Sequence, residues 1–193
     1  MVEKLHRLYK ISWTEENNKQ KLYYKSSKKV IVNKNKLYLL SKNNEIDLLT
    51  YFNSFCLKKW VKYTTIEQLI IKGYVKGHVI VEINIICNDK KIIVYRDTVF
   101  NNFNKVLDIK NINGDILGIK ITTLEESCII ENIEYIGKFN SWQNKNIGVV
   151  ICTYKREKYI QRTIKKLKSF NKENKWLSVL VVDNGNTLSQ DEF

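Results

Sequence analysis

Two short polar clusters carry the side chains best suited to chemistry in this 193-residue chain. The first, Thr153-Tyr154-Lys155-Arg156, follows the apolar run Ile147-Gly148-Val149-Val150-Ile151-Cys152. The second, Asp183-Asn184-Gly185-Asn186, follows Leu177-Ser178-Val179-Leu180-Val181-Val182. A guanidinium such as that of Arg156 bonds a phosphate through two parallel N–H groups. Free backbone N–H groups at the start of a helix favour the same charge. Asp183 and Asn184 offer acceptors and donors to a ribose or a base edge. Neither GxGxxG nor GxxxxGK(S/T) occurs in the chain, so a dinucleotide or P-loop site has no support. On the residues alone a plainer alternative stands beside this one: Asp183-Asn184-Gly185 as a strand-ending turn and Arg156 as a surface charge.

These clusters need elements to hold them. The run 147–152 has the continuous apolar texture of a parallel strand covered on both faces. From Tyr159 to Phe170, Ile160, Ile164 and Leu167 recur at helical spacing, with Lys165, Lys166 and Lys168 facing outward. The run 177–183 reads as a second buried strand, so residues 147–186 predict one βαβ unit. Ligands of open α/β sheets bind beyond the carboxyl ends of such strands, where both polar clusters fall.

Upstream the texture differs. The first 28 residues are polar and Lys/Asn-rich, with scattered aromatics at Tyr9, Trp13, Tyr23 and Tyr24, and predict loop and short strand. From Lys29 onward, short runs rich in Ile, Val, Tyr and Thr predict strand after strand: 30–32, 37–40, 69–74, 78–87, 91–95, 105–109, 116–123 and 128–136. The expected turns are Asn33-Lys34-Asn35-Lys36, Lys76-Gly77, Asn88-Asp89-Lys90, Asn113-Gly114-Asp115 and Glu125-Glu126. Val79, Val81, Ile83 and Ile85 alternate with polar neighbours and share one face. The expected fold class is therefore mainly β. It is an antiparallel, jelly-roll-like β-sandwich followed by the first βαβ unit of an α/β, Rossmann-like domain. The expected organisation is a polar segment at 1–28, the sandwich at 29–137, a linker at 138–146 that is polar apart from Phe139 and Trp142, and the second domain from 147 to 193.

Lys and Arg number 33 against 20 Asp and Glu, a formal charge of +13. The excess is uneven: 13 basic against 5 acidic residues in 1–60, 11 against 10 in 61–146, and 9 against 5 in 147–193. A basic surface favours anionic partners such as nucleotide phosphates or anionic lipid. The strand region is nearly neutral and carries no nucleic-acid motif, so no nucleic-acid partner is expected. Cys56, Cys87, Cys128 and Cys152 form no CxxC pair and sit in or beside apolar runs. They read as free thiols in a reducing compartment rather than zinc ligands. Met1–Lys10 lacks an apolar core of signal-peptide length, and no apolar run is long enough to span a bilayer. The expected location is cytoplasmic.

The stretch "IGVVICTYKREKYIQRTIKKL…LSVLVVDNGN" (147–186) resembles the opening of family-2 glycosyltransferases with the GT-A fold. Those enzymes begin with an apolar strand, Thr-Tyr/Phe-Asn-Arg, a helix, and a strand closing in Val-Val-Asp-x-Gly-Ser. Lys155 and Asn186 are mild departures. A second stretch, Thr50-Tyr51-Phe52-Asn53-Ser54-Phe55 followed by Trp60 and Thr64-Thr65, precedes the strand-rich region. It resembles the amino-terminal β-sandwich of bacterial polymerising galactofuranosyltransferases, and "VYRDT" (94–98) fits a strand of that sandwich loosely. In that family the sandwich directly precedes the GT-A domain, the order expected here.

The resemblance implies an inverting transfer of galactofuranose from UDP-galactofuranose to a cell-surface glycan, as in cell wall polysaccharide biosynthesis. It places Thr153, Tyr154 and Arg156 at the donor, with Arg156 on the diphosphate side and Asp183 and Asn184 by the uridine. It implies a divalent metal, Mg²⁺ or Mn²⁺, in the full-length enzyme. The family's metal-binding Asp-x-Asp and its base come later, and no Asp-x-Asp occurs in the chain. The late acidic pair Asp191-Glu192 lacks the spacing. No catalytic residue and no metal ligand is therefore assigned, and the expectation is a truncated, inactive amino-terminal portion that binds no cofactor itself. Further expected partners are a lipid-linked glycan acceptor, an anionic membrane at its inner face, and a second copy of the chain. The alternative expectation is a β-sandwich that binds glycan or mediates oligomerisation without catalysis. The cluster Tyr51, Phe52 and Trp60 reads first as core, and second as a sugar-stacking surface.

Overall fold

A computed structural model describes residues 4–141, 147–174 and 177–188. The chain divides into two compact units, residues 1–142 and 143–193.

The larger unit contains β1 (Lys4–Lys10), β2 (Lys25–Ser26), β3 (Val30–Asn33), β4 (Lys36–Leu39), β5 (Glu45–Asp47), the short helix α1 (Leu57–Tyr63), β6 (Ile66–Cys87), β7 (Lys90–Asp108), β8 (Ile116–Thr123) and β9 (Cys128–Phe139). Neighbours run β2-β5-β8-β6-β9-β4-β3, with β1 added on β9 and β7 on β6, and every pairing is antiparallel. The architecture is mainly β, as the strand pattern predicts.

One hairpin organises this unit. The expected break at Lys76-Gly77 is not a turn. β6 runs unbroken through it for 22 residues, and the runs at 91–95 and 105–109 are the two ends of a single 19-residue strand, β7. Gly77 has φ +96 and Asn101 on the partner strand has φ +69, so both strands bend together where their register shifts between Tyr74 and His78. A glycine with positive φ inside a strand marks a bulge. At this bend β6 exchanges β9, paired along 66–76, for β8, paired along 79–86. A Cβ at Gly77 would also lie 2.7 Å from Glu125 Oε1 and 2.8 Å from Cys128 Sγ. The middle of β7 reads as loop in the sequence because the strand lies at an edge and is mostly exposed.

Two expected turns have the backbone their residues favour. Lys34 and Asn35, and likewise Asn88 and Asp89, all have positive φ near 50–60° (46, 60, 49 and 61). That is the geometry of two-residue hairpins.

The inward residues Leu69, Ile71, Val75, Val79, Val81, Ile83 and Ile85 of β6 join Leu117, Ile119 and Ile121 of β8 and Ile130, Ile133 and Tyr135 of β9 in one core. Each fully buried aliphatic side chain stabilises by about 1.5–3 kcal/mol relative to exposure. On the outer face, one row across five strands alternates in sign: Lys25, Asp47, Lys120, Glu82, Arg96. Opposite charges facing each other across strands favour this register, in which a one-residue slip would invert every strand's faces.

The first 28 residues, set apart from the sandwich in the sequence reading, contribute to it. β1 pairs with β9 from Lys4↔Phe139 to Lys10↔Glu134, and Ile11, Trp13 and Tyr24 are buried in the core. A 3-10 helix spans Asn17–Leu22. Tertiary pairing overrides the polar composition, because β1 needs only one apolar face. Of the residues expected to form a linker, 138 and 139 complete β9, with Phe139 buried. Residues 142–146, Trp142 among them, lie outside the described residues, as do Asp191 and Glu192.

The smaller unit contains β10 (Ile147–Thr153), α2 (Glu157–Asn174) and β11 (Leu177–Asp183). The strands are parallel, in register from Ile147↔Leu177 to Thr153↔Asp183. Ile160 and Ile164 of α2 are buried. The Asn171 side chain closes the connection from helix to strand, donating from Nδ2 to Leu177 O and accepting from Leu177 N. Val150 and Leu180, paired in register, are 62% and 60% exposed.

Candidate functional site

The carboxyl ends of β10 and β11 bring the two predicted polar clusters together. Thr153 and Asp183 are direct register partners, and Asn184 N donates to Thr153 O at 2.9 Å. Thr153 is buried, while Tyr154 is 59% exposed. Lys155 has φ +49, a left-handed backbone that turns the chain from strand into helix, and its Nζ lies 5.2 Å from the centre of the Tyr154 ring. Gly185 packs against this turn so closely that an added Cβ would stand 3.0 Å from Lys155 N. The two loops therefore touch, and Gly185 is the residue that permits it.

Arg156 holds the start of α2. Its carbonyl accepts from Tyr159 N and Ile160 N, both at 3.1 Å. Among the described residues its exposed guanidinium makes no hydrogen bond or ion pair, so it is free to meet a ligand. Asp183 is committed differently. Its Oδ1 accepts from Gly185 N at 3.0 Å, and its Oδ2 from Thr187 N at 2.6 Å and Leu188 N at 2.9 Å. Desolvation opposes its charge, but the bonds from Leu188, Gly185 and Thr187 outweigh it and hold the carboxyl below its ordinary value. Asp183 thus shapes the loop, leaving Asn184 and the exposed Arg156 as the freer polar groups.

Glu157 is a residue that sequence reasoning missed. The Thr187 hydroxyl first, and its own backbone N–H second, hold its carboxyl below the ordinary value. It occupies the first turn of α2, where a carboxylate complements the helix dipole. An acidic residue one position after Arg156 was the available signal. Its bond to Thr187 depends on the fold of the 183–188 loop, which the sequence does not display.

No group of three or more His, Cys, Asp or Glu that could hold a metal ion occurs among the described residues. Both oxygens of Asp183 are already occupied by backbone donors. The described residues do not fit the divalent metal that the resemblance implies, and no chemical step is assigned to one. The cysteines are free, with Cys128 buried and Cys152 exposed.

A second constellation lies in the larger unit. Thr50–Phe55 was singled out in the sequence, and the structure separates its rings. Phe55 is buried, stacked on Trp60 at 5.9 Å and against Tyr135 at 5.0 Å. Tyr51 and Phe52 point outward, at 82% and 41% exposure. Phe52 stacks on Tyr23 at 4.7 Å, and Tyr51 meets Phe52 edge-on at 5.0 Å. The core reading therefore holds for half-buried Trp60 but not for Tyr51 or Phe52, and Phe55 is the buried ring of the loop.

Basic residues gather on α2, where Lys158, Arg162, Lys165 and Lys166 line one shallow depression. Part of the amino-terminal excess is paired: Lys19 with Glu16, Lys36 with Glu131, and Lys58 with Asp115. No helix among the described residues is long and apolar enough to cross a membrane.

The described residues thus comprise an antiparallel β-domain with an aromatic loop and, next in sequence, a βαβ unit. The family model described as galactofuranosyltransferase 2 N-terminal matches residues 6–135. The chain belongs to this family, and the matched region begins inside β1. No curated protein matches the chain. Among solved structures it is similar to a family 29 carbohydrate-binding module, at 11% identity and a TM-score of 0.40, over 72% of this chain and 87% of the module. A further family 29 module, complexed with cellulohexaose, matches at 12% identity and a TM-score of 0.39 over 70% of this chain and 91% of that one. A CBM4 structure matches at 11% identity and a TM-score of 0.40 over 67% of this chain and 94% of that one. Scores of this size assign neither a site nor a ligand to the chain.

Proposed function

We propose that the chain serves an inverting family-2 glycosyltransferase. Residues 147–188 open its GT-A domain and contribute to the pocket for UDP-galactofuranose, and the transferred sugar goes to a cell-surface glycan. The observation that carries this reading is the junction of the two loops. Thr153, Tyr154 and Arg156 stand at the end of one parallel strand and Asp183 and Asn184 at the end of its neighbour, tied by the bond from Asn184 N to Thr153 O. Membership of the galactofuranosyltransferase 2 N-terminal family supports the donor sugar.

The geometry is compatible with the roles that the resemblance implies. Arg156 is exposed at the start of α2 and would meet the diphosphate, together with the unpaired N–H groups of the helix's first turn. Asp183 fixes the loop through its three backbone donors, and Asn184 faces the uridine. Tyr154, steadied by Lys155, would flank the base or ribose. The uncovered pair Val150 and Leu180 supports a further layer of the GT-A domain packing on that face. Metal binding and the base that activates the acceptor hydroxyl are assigned to none of the described residues. The basic face of α2 and the remaining amino-terminal lysines support association with an anionic membrane at its cytoplasmic face, at about 1 kcal/mol per well-placed cation.

Calorimetric titration with UDP tests the donor reading. Arg156→Ala weakens UDP binding about tenfold or more, the loss of one charge-assisted phosphate contact. UDP affinity indifferent to Arg156→Ala contradicts the assignment.

A further inference from the structure

Tyr23, Phe52 and Tyr51 form a continuous strip of rings on the surface of the larger unit, with centroid spacings of 4.7 and 5.0 Å. Leu22 beside Tyr23 is also exposed. What distinguishes this strip from scattered surface aromatics is how firmly its backbone is held. Asn53, fully buried, accepts from Ser12 N at 3.1 Å, with its Oδ1 also 3.1 Å from Tyr9 Oη, and donates from Nδ2 to Ser12 O at 2.9 Å and Tyr23 O at 2.6 Å. Thr50 Oγ1 donates to Tyr23 O at 2.8 Å, Phe52 N to Leu22 O at 2.9 Å, and the Tyr9 hydroxyl to Phe52 O. Three separate stretches of chain, at 9–12, 22–24 and 50–54, are thus locked together by one polar network. The network holds the chain on both sides of Tyr51. Its phenol stands outward on a rigid base.

The chemistry of such a surface is selective. An aromatic face is electron-rich, and the C–H face of a saturated sugar ring presents weakly positive hydrogens to it. The phenol hydroxyls of Tyr51 and Tyr23 at the rim can bond sugar hydroxyls. The size of the strip also chooses the occupant. Three partly exposed rings offer roughly 200–300 Å², given about 150–250 Å² for a whole aromatic side chain. A stable protein interface needs about 800 Å² on each partner. The strip is too small for a protein partner and fits one or two sugar rings.

We propose that Tyr51, Phe52 and Tyr23 form a stacking platform for a neutral saccharide, binding the glycan acceptor. The choice of a galactofuranose-containing glycan rests on the function proposed above, whereas the platform itself rests on the ring geometry.

Saturation-transfer NMR and calorimetry on the full chain test it, with a β-linked galactofuranose tetrasaccharide as the probe and cellotetraose as a pyranose comparison. Tyr51→Ala keeps the wild-type circular dichroism and weakens binding of at least one of the two saccharides about tenfold. Tyr51→Phe, which keeps the ring, stays within about threefold of wild type, the share of one rim hydrogen bond. The platform is overturned if the folded wild-type chain binds neither saccharide, or if Tyr51→Ala binds as wild type does. It is also overturned if sedimentation shows a dimer that Tyr51→Ala dissociates, since the rings would then face a second copy. A UDP titration run on the same samples separates the two readings. Retained UDP binding without saccharide binding removes the platform alone, and saccharide binding without Arg156-dependent UDP binding removes the donor site alone.

Discussion

Along β6, alternate residues from Leu69 to Val75 and from Val79 to Ile85 are buried, and their neighbours other than buried Asn84 meet solvent or a charged row, so the strand satisfies both its faces within its own unit. Along β10 only Thr153 is buried, and Val150 stands 62% exposed between half-buried Val149 and Ile151. The difference lies in the layers available. The larger unit folds its long hairpin across β9 and β8 and thereby supplies two inner faces to one core. The smaller unit has a single helix against a two-stranded sheet, which covers one face. Alternating sequence is the signature of a strand with one buried face, and a continuous apolar run is the signature of a strand meant for burial on both. The smaller unit thus carries in its sequence a demand for packing that its described residues do not meet.

Equivalent truncations in the two cores should break or confirm this contrast most strongly. Ile83→Ala, fully buried in the larger unit, is expected to cost about 3–4 kcal/mol in urea unfolding. Ile164→Ala, on the covered face of α2, should cost about 1–2 kcal/mol and leave the larger unit's transition in place, because a thin layer relaxes around the cavity. Equal losses on one shared transition would erase the distinction. The next effect concerns close packing within the larger unit. A Cβ at Gly73 would fall 2.0 Å from Cε1 of Phe103, its register partner on β7. Gly73→Ala should therefore destabilise by about 2–3 kcal/mol, and adding Phe103→Leu should recover part of it. A neutral outcome for Gly73→Ala would show that β7 yields more readily than its pairing implies.

Acid should act locally on the smaller unit. The Asp183 carboxyl is held below its ordinary value, so its contribution is present above the ordinary carboxylate pKa of about 4 and is lost as pH falls through the depressed folded value. The amide signals of Gly185, Thr187 and Leu188 should report that titration. Asp183→Asn should remove the transition. In the larger unit, Glu131 is likewise lowered by bonds from Lys36 and Lys76, but these pairs are open to solvent and their loss should shift stability little. The smallest effect is expected on the uncovered face. Leu180→Thr should change stability by no more than about 0.5 kcal/mol, and a larger loss would show that the face is already packed.

Much of this contrast is legible in the residues. The change in texture at Ile147 coincides with the start of β10, and Asn88-Asp89 and Lys34-Asn35 announce their turns by composition. The strand β1 was not legible, because a single-faced edge of Lys4–Lys10 takes its partner from Glu134–Phe139, more than a hundred residues away. Nor was the continuity of β6 and β7. Gly77 reads equally as a turn or as a bulge, and only the exchange of β9 for β8 across it decides the matter. At the carboxyl ends of β10 and β11, residue types and their adjacency were readable. The commitment of Asp183 to backbone donors and the role of Glu157 were not, since both depend on where residues 185–188 fold back.

Amide chemical-shift mapping with UDP on the isotopically labelled chain tests the account most directly. The account predicts shifts concentrated at Thr153–Glu157 and Asp183–Thr187, and their loss in Arg156→Ala with the circular dichroism unchanged. Shifts centred in the larger unit, or UDP shifts at both loops that persist in Arg156→Ala, would contradict it.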